Sequence, residues 1–266
     1  MLDRWFKKEK PLQGLTGMGG GVVSRVLGGV APFVATGGTK TGPTGGYFYH
    51  DYTTSGSGTP FQVTSGKTDI EVLLVGGGAG GGRGSGWGGG GGGGGAVGVY
   101  SVPIGSGTYD LTVGADVGGN TDGNYTRLGP SSSYIQAGGG NRGKRGEPPN
   151  PGAENGQGGS GGVNTQNNWS GYSLPGDYSG NNGQSRGGQD DGGHGGSVGG
   201  KPQSPTLWWR PYINPGSGGT EGGSNGSPDG GPGFIYCGGG KGTYSSGGSA
   251  GSGKQGRVVI RYPDAV

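Results

Sequence analysis

Residues 76–100 read GGGAGGGRGSGWGGGGGGGGAVGVY, with eight consecutive glycines at 88–95. This stretch decides the fold, because it is either a flexible spacer between folded halves or a building element itself. Flexible linkers are commonly rich in Gly and Ser. However, Trp87 and the strand-like AVGVY flank the run directly, and similar runs recur along the chain. We therefore interpret the run as an ordered rod packed against related segments, with the spacer as the alternative.

The composition of the whole chain favours an ordered fold built largely from glycine. Glycine supplies 80 of 266 residues, and its irregular spacing excludes collagen, which needs Gly at every third position. Disordered chains combine low hydrophobicity with high net charge and few aromatics. Here the net charge is only +3 and 9% of residues are aromatic. Large apolar residues are too few for an ordinary core, so backbone hydrogen bonds must contribute to stability.

Glycine segments can pack as polyproline-II-type helices, which have three residues per turn and no internal hydrogen bonds. Without side chains, such segments approach closely enough to bond amide to carbonyl between neighbours. We predict packed polyglycine-II-type rods at the recurring glycine runs, which are residues 76–82, 88–95, 138–162, 187–200, 216–233 and 238–253.

Short runs with β-branched and aromatic residues, bounded by Gly, Ser and Asn, indicate strands rather than helices. No amphipathic pattern of helical length is present, so the fold class is all-β, a β-sandwich or barrel-like domain with no substantial helix. The predicted strands are YFYHDY (47–52), 61–64, IEVLLV (70–75), AVGVYSV (96–102), TYDLTV (108–113), 134–137 and RVVIRY (257–262).

Strand signals at both ends of the chain bracket a glycine-rich middle with almost none. RVVIRY needs partners, so we expect it to pair back with the early strands. The predicted organisation is an N-terminal arm (1–35), a β domain (36–143), a glycine-rich excursion with aromatic loops (144–253) and a closing strand (254–266).

The sequence contains no convincing set of catalytic residues. His50 lies in an aromatic strand beside Asp51, where a hydrogen-bonded structural role is expected. His194 could join Asp190 and Asp191 around a metal, although a solvated turn is favoured; Cys237 fits a small buried residue. GSAGSGKQ (248–255) resembles a phosphate-binding loop but lacks its Ser/Thr and the following helix. We expect a protein that is not an enzyme and has no cofactor or metal.

Charge and hydropathy argue against two classes of partner. The Lys and Arg residues are scattered rather than clustered, which is not the footprint of a nucleic-acid-binding protein. No run of 18 or more apolar residues is present, so membrane insertion is not expected.

Aromatic residues interrupt the glycine-rich excursion in two loops, 164–188 and 201–216. Rigid aromatics among Asn, Ser, Pro and Gly are typical of binding loops, and Trp, Tyr and Arg dominate interface hot spots. A host glycan or an outer-membrane protein could be the partner; alternatively, these side chains cover the rods or form a subunit interface. The candidate contact residues are Trp169, Tyr172, Tyr178, Trp208, Trp209, Arg210 and Tyr212.

The N-terminal residues differ from the rest of the chain. LDRWFKKEK is followed by an apolar tail that glycines interrupt. Apolar residues unable to close their own core suggest docking onto another subunit, and packing on the same domain is the alternative. The candidate anchoring residues are Leu2, Arg4, Trp5, Phe6, Leu12 and Leu15.

Several segments together resemble the glycine-rich domain of bacteriophage virion proteins, including marine-phage tail-fibre and structural proteins. They are residues 61–63, IEVLLVGGGAGGG, GGGGGAVGVYSVPIGSGTYDLTVGAD, SSSYIQAGGGNRG and GRVVIRYP. MLDRWFKKEKPLQGLTGMGGG also looks like an anchoring segment of marine-phage structural proteins. The glycine-rich excursion is similar in style to T-even-type tail-tip adhesins, which pack polyglycine rods and display variable loops. The chain departs from those adhesins in its strand-rich first half, its arm and its aromatic loops.

The resemblance implies a non-enzymatic protein on the surface of a phage particle. Its arm would bind other virion proteins, a homotrimer would project outward, and the aromatic loops would meet the host as a tail-fibre or tail-tip adhesin. A capsid decoration or head-fibre protein is the alternative.

Overall fold

A computed structural model describes residues 31–57, 60–83, 89–144, 164–167, 208, 211–212, 239–240 and 249–264. These residues contain no helix, and the fold class is all-β as predicted. No helix in this part of the chain could therefore span a membrane. The strands are β1 (Val34–Thr36), β2 (Thr39–Thr44), β3 (Tyr47–Tyr52), β4 (Gly56–Ser57), β5 (Phe61–Ser65), β6 (Thr68–Val75), β7 (Val97–Ile104), β8 (Gly107–Tyr109), β9 (Leu111–Val113), β10 (Thr126–Leu128), β11 (Tyr134–Ala137), β12 (Asn164–Asn167) and β13 (Arg257–Pro263).

The strands form three antiparallel sheets. Sheet I has the order β2-β3-β13-β6-β7, sheet II the order β12-β11-β10-β9-β4, and sheet III the order β1-β5-β8. The last strand pairs with two early ones, because Val258 lies opposite both Tyr52 on β3 and Leu74 on β6. The pairing expected for RVVIRY is therefore present, and the two ends of the β region meet in one sheet.

The inner faces of the three sheets share one apolar core. Alternation along each strand places every second side chain on that face. Sheet I contributes residues such as Ile70 and Ile260, sheet II contributes Leu128 and Ile135, and sheet III contributes Phe61. All five side chains are completely buried. This arrangement is sandwich-like, as the alternating strand patterns predict.

The glycine runs continue directly from the strands of this sandwich. We call residues 76–82 the central rod and residues 89–96 the second rod. The central rod follows β6, the second rod leads into β7, segment 138–144 follows β11, and segment 251–254 precedes β13. Both rods are buried along their whole length. We call the two rods, these two segments and segment 120–124, which bonds to the central rod, the bundle. The bundle continues the strands of sheets I and II beyond one end of each sheet.

Amide donors of the central rod are distributed over three neighbours with a period of three residues. One neighbour is the second rod, and the others are segments 120–124 and 251–254. The bonds measure 2.7–3.0 Å, and they run from Gly76, Ala79 and Gly82 to the carbonyls of Ala96, Gly93 and Gly90, from Gly77 and Gly80 to those of Asn124 and Thr121, and from Gly78 and Gly81 to those of Lys254 and Gly251.

The carbonyl acceptors of the central rod and the amide donors of the second rod also repeat every three residues. Segment 138–144 donates from Gly140 and Gly143 to the carbonyls of Gly77 and Gly80. The second rod donates to segment 138–144 at every third residue, from Gly90, Gly93 and Ala96 to the carbonyls of Lys144, Asn141 and Gly138. A β-strand would alternate with period two, whereas a polyproline-II-type helix turns every three residues. The described glycine runs are therefore packed rods of the polyglycine-II type.

Close approach of the backbones explains why these positions are glycine. A Cβ added to Gly92 would overlap the carbonyl of Ala79, and one added to Gly140 would overlap that of Gly93. The rods predicted at 76–82 and 88–95 are confirmed over their described residues. Of the run predicted at 138–162, residues 138–144 form a rod; residues 187–200 and 216–233 lie outside the described residues, as does most of 238–253. Segment 120–124 is a rod neighbour that the glycine runs did not predict.

The domain boundaries predicted from the sequence remain predictions. Most of the arm (1–35) and most of the excursion (144–253) lie outside the described residues. The described part places residues 36–143 and 251–264 in one body, since strands and rods from both ranges pair with one another.

Candidate interaction surface

The outer face of sheet I carries a cluster of aromatic and arginine side chains. Alternation on β3 turns Tyr47, Tyr49 and Asp51 to this face, while His50 and Tyr52 turn inward. On β13 the same rule places Arg257 and Arg261 on the outer face beside Val259. We call this set, together with Trp208 and Tyr212, the aromatic–arginine face.

Trp208 and Tyr212 pack against this face. Their ring centroids lie 6.4 Å and 6.0 Å from that of Tyr49, and 6.2 Å from each other. Both also contact the small apolar cluster of Leu73, Val75, Val97 and Val259. Each side chain remains partly exposed. The sequence predicted contact residues in this loop, and these two contact their own sheet.

Arginine side chains of β13 hold the two aromatics. The guanidinium of Arg261 lies 4.5 Å from the Trp208 ring centroid and 4.3 Å from that of Tyr47. Arg257 donates from Nη1 to the Tyr212 carbonyl at 2.6 Å, and its guanidinium lies 5.2 Å from the Tyr212 ring. Cation–π contacts of this kind are stronger where water is partly excluded.

Each arginine is also paired with a carboxylate on a neighbouring strand. Arg257 binds Asp51 on β3 in a bidentate manner, with Nε–Oδ1 at 2.9 Å and Nη2–Oδ2 at 2.5 Å. Arg261 pairs with Glu71 on β6. The two arginines are therefore balanced by two carboxylates. Because β13 lies between β3 and β6, these pairs also fix the direction of each arginine side chain.

Two buried polar atoms, one in this cluster and one on the inward side of β3, are each without a hydrogen bond among the described residues. Within the described part of the chain, neither Trp208 Nε1 nor Tyr52 Oη has a hydrogen-bond partner.

Burial raises the pKa of the Tyr212 hydroxyl above its ordinary value of 10.0, and Tyr49 and Asp51 add to the rise. Arg257 and Arg261 act in the opposite direction. The tyrosine therefore stays neutral at physiological pH.

His50 has the hydrogen-bonded structural environment that the sequence favoured. The ring is fully buried. Nδ1 donates to the Gly37 carbonyl at 2.6 Å, and Nε2 lies 3.3 Å from the Tyr262 hydroxyl, which can donate to it. The ring also stacks on Tyr262. Burial lowers the pKa of His50, and Lys40 adds to that effect, while the bond to Gly37 opposes it.

A model of the glycine-rich domain family matches residues 53–263. The chain belongs to this family. The match begins just after β3 and ends with β13, so the glycine-rich domain includes both the rods and most strands of the sandwich. A comparison with curated proteins found no match.

The other candidate residues from the sequence lie outside the residues that the structure describes. These are the contact residues Trp169, Tyr172, Tyr178, Trp209 and Arg210, the anchoring residues Leu2, Arg4, Trp5, Phe6, Leu12 and Leu15, and the residues Asp190, Asp191, His194 and Cys237. Among the described residues, no three His, Cys, Asp or Glu side chains are grouped as metal ligands.

Sequence reasoning missed Tyr49, Arg257 and Arg261 as part of the aromatic–arginine face. The available signal was the alternation of RVVIRY, which places two arginines on one face of an otherwise apolar strand. A buried β-sheet face seldom accepts unpaired charge. Such a strand therefore indicates that acidic and aromatic partners lie on the adjoining elements.

Proposed function

We propose that this glycine-rich domain protein is a non-enzymatic structural protein of a bacteriophage particle. It projects from the particle surface as a tail-fibre or tail-tip adhesin that attaches to the host. The arm (1–35) binds other virion proteins, and the projecting part is a homotrimer. Support for the viral assignment comes from the sequence resemblance described above.

The observation that carries this proposal is the three-residue hydrogen-bond repeat of the rods. A bundle whose interior is backbone alone contributes rigidity rather than a reactive side-chain site. Its exposed positions, such as Asn141 and Arg142, face solvent while Gly140 and Gly143 face the interior. Surface residues and loops can therefore change without disturbing the packing, which suits a scaffold that presents variable loops.

In this proposal the aromatic loops contact the host surface. Trp208 and Tyr212 of loop 201–216 pack on Tyr49 of sheet I, which gives this loop two points of contact with the domain. The contact set is that of the sequence: Trp169, Tyr172, Tyr178, Trp208, Trp209, Arg210 and Tyr212. A host glycan or an outer-membrane protein is the proposed partner.

One observation favours a second candidate function, a capsid decoration or head-fibre protein. Trp208 and Tyr212 use much of their ring surface on their own sheet. Packing of this kind is also the expected role of aromatics that stabilise a structural subunit.

Immunogold electron microscopy of purified particles distinguishes the two candidates. Antibody against the chain should label the distal end of the tail if the protein is an adhesin. A label spread over the capsid lattice would favour decoration. Particles that carry neither the label nor peptides of this chain by mass spectrometry would contradict both candidates.

A further inference from the structure

The outer face of sheet II carries a continuous row of polar side chains that crosses all five strands. Residues directly opposite one another in a sheet share a face. The register pairs Ser57 with Thr112, Thr112 with Arg127, Arg127 with Gln136, and Gln136 with Thr165. We call these five residues the polar row. None of the five is buried, whereas Leu111, Val113, Leu128, Ile135 and Ala137 of the same sheet form core on the other face.

Arg127 is held rigidly at the centre of the polar row. Its guanidinium lies 4.0 Å from the ring centroid of Tyr134 and 4.6 Å from that of Tyr125. Nε and Nη2 both donate to Gln136 Oε1, at 2.9 Å and 2.7 Å. Within the described residues, no carboxylate forms an ion pair with it. A planar guanidinium that contacts two aromatic rings and bonds to a neutral amide oxygen is preorganised to donate further hydrogen bonds.

A cavity of about 260 Å³ adjoins this arginine. Its lining includes Arg127, Thr112 and Ser57 of the polar row, together with Asp110 and Ser131. The carboxylate of Asp110 accepts hydrogen bonds, the guanidinium donates them, and the hydroxyls do both. The cavity therefore offers donors and acceptors side by side.

We propose that the polar row and this cavity form a saccharide-binding surface. Sugars present adjacent hydroxyls that donate and accept hydrogen bonds. Asp110 offers acceptors, Arg127 offers donors and Thr112 offers both, so the three residues suit such hydroxyls. Their apolar C–H groups can contact the rings of Tyr125, which is 43% exposed, and of the partly exposed Tyr134. Four strand spacings make the row about 19 Å long, so an oligosaccharide would run across the strands.

Charge argues against nucleic acid on this surface. Arg127 is the one cation in the polar row, and the carboxylate of Asp110 lines the adjoining cavity. Polyanion binding instead needs several phosphate-neutralising cations. The identification of the saccharide with a host glycan rests on the proposed attachment function, whereas saccharide binding itself is a property of the isolated chain.

Saturation-transfer NMR and calorimetry with the purified full chain test this surface. The probes are hexasaccharides of glucose, hexasaccharides of N-acetylglucosamine, and deacylated lipopolysaccharide. At least one probe should bind, and Arg127→Ala should weaken that binding about tenfold, the effect expected for a lost charge-assisted hydrogen bond. Thr112→Val removes one hydroxyl at nearly constant shape and should weaken binding several-fold, so the test stands even if Arg127→Ala fails to fold.

The matched control is Lys67→Ala, which removes an exposed cation beside a different and larger cavity. This variant should bind like the wild type. Failure of every probe to bind would overturn the proposal, as would equal affinities for the wild type and Thr112→Val. Tighter binding of a single-stranded oligonucleotide than of any saccharide would also overturn it. None of these results depends on where the protein lies on a particle, so the proposed function is tested separately.

Discussion

The amide of Ala79 donates to the carbonyl of Gly93 across 2.9 Å, and this bond joins the middle of the central rod to the middle of the second rod. Both residues are fully buried, and the carbonyl of Ala79 in turn accepts from Gly240. The amide and the carbonyl of both residues are therefore bonded to neighbouring segments rather than to water, as a buried backbone requires.

Gly92→Val should therefore destabilise the protein by about 3 kcal/mol or prevent folding, because the added side chain overlaps Ala79. The measurement is urea unfolding followed by circular dichroism. Gly118→Val is the matched control, since no atom lies within 4 Å of a Cβ at that position. Similar loss of stability in the two variants would show that volume in the rods is unimportant.

Stability should fall as the pH drops below about 6.5 because His50 is buried in its neutral form. Burial holds the folded-state pKa of His50 below the ordinary 6.5. In the window between these two values the unfolded chain binds the extra proton, so acidification favours unfolding by up to about 1.4 kcal/mol per pH unit.

Urea unfolding between pH 8 and pH 5 measures this effect. His50→Gln should flatten the curve below 6.5, whereas His194→Gln should leave it unchanged. An unaltered pH slope in His50→Gln would assign the dependence to another group.

The bidentate pair of Asp51 and Arg257 should show a coupling free energy of about 1–2 kcal/mol in a double-mutant cycle with Asp51→Asn and Arg257→Lys. The side chains are only 24% and 14% exposed, so solvent screens them less than an ordinary surface pair. Asp69→Asn combined with Arg257→Lys should be additive. Coupling near zero for the first cycle would mean that the pair contributes only orientation.

Trp208→Ala should lower the free energy of unfolding by about 2 kcal/mol, less than for a fully buried tryptophan because the ring is partly exposed. The loss reflects contacts with Tyr49 and Arg261. Pro211→Ala changes an exposed residue of the same loop and should have little effect. Equal stability of the Trp208 variant and the wild type would contradict packing of this loop on sheet I.

Strands with strong side-chain patterns could be predicted from the sequence. YFYHDY, IEVLLV and RVVIRY correspond to β3, β6 and β13. The run 108–113 was predicted as one strand but divides at Asp110, because β8 pairs with β5 in sheet III and β9 pairs with β10 in sheet II. Strand β2 was missed because its residues TKTGPT are all exposed and show no apolar alternation.

The rods show why part of the bundle was also missed. Segment 120–124 (NTDGN) contains a single glycine, Gly123, where a Cβ would overlap the Gly77 carbonyl. In a three-residue repeat only the inward position must lack a side chain, so an outer rod tolerates polar residues at the other two. Long glycine runs therefore predict the inner rods, whereas one suitably placed glycine suffices outside.

The aromatic–arginine face was predicted only in part, for a similar reason. Loop composition indicated that Trp208 and Tyr212 make contacts, but the partner was Tyr49, which is more than a hundred positions earlier in the chain. Single-sequence patterns carry no information about which distant elements meet. The placement of the two arginines on β13 follows from alternation once that strand is assigned.

Amide hydrogen exchange of ¹⁵N-labelled protein tests the central claim most directly. If the glycine runs are packed rods, the amides of Gly77, Gly78, Gly80 and Gly81 should exchange as slowly as those of β6 and β13, because each is buried and donates to segment 120–124 or to segment 251–254. Exchange of these four amides at the rate of an unstructured chain, with β6 and β13 still protected, would show that the glycine runs are spacers.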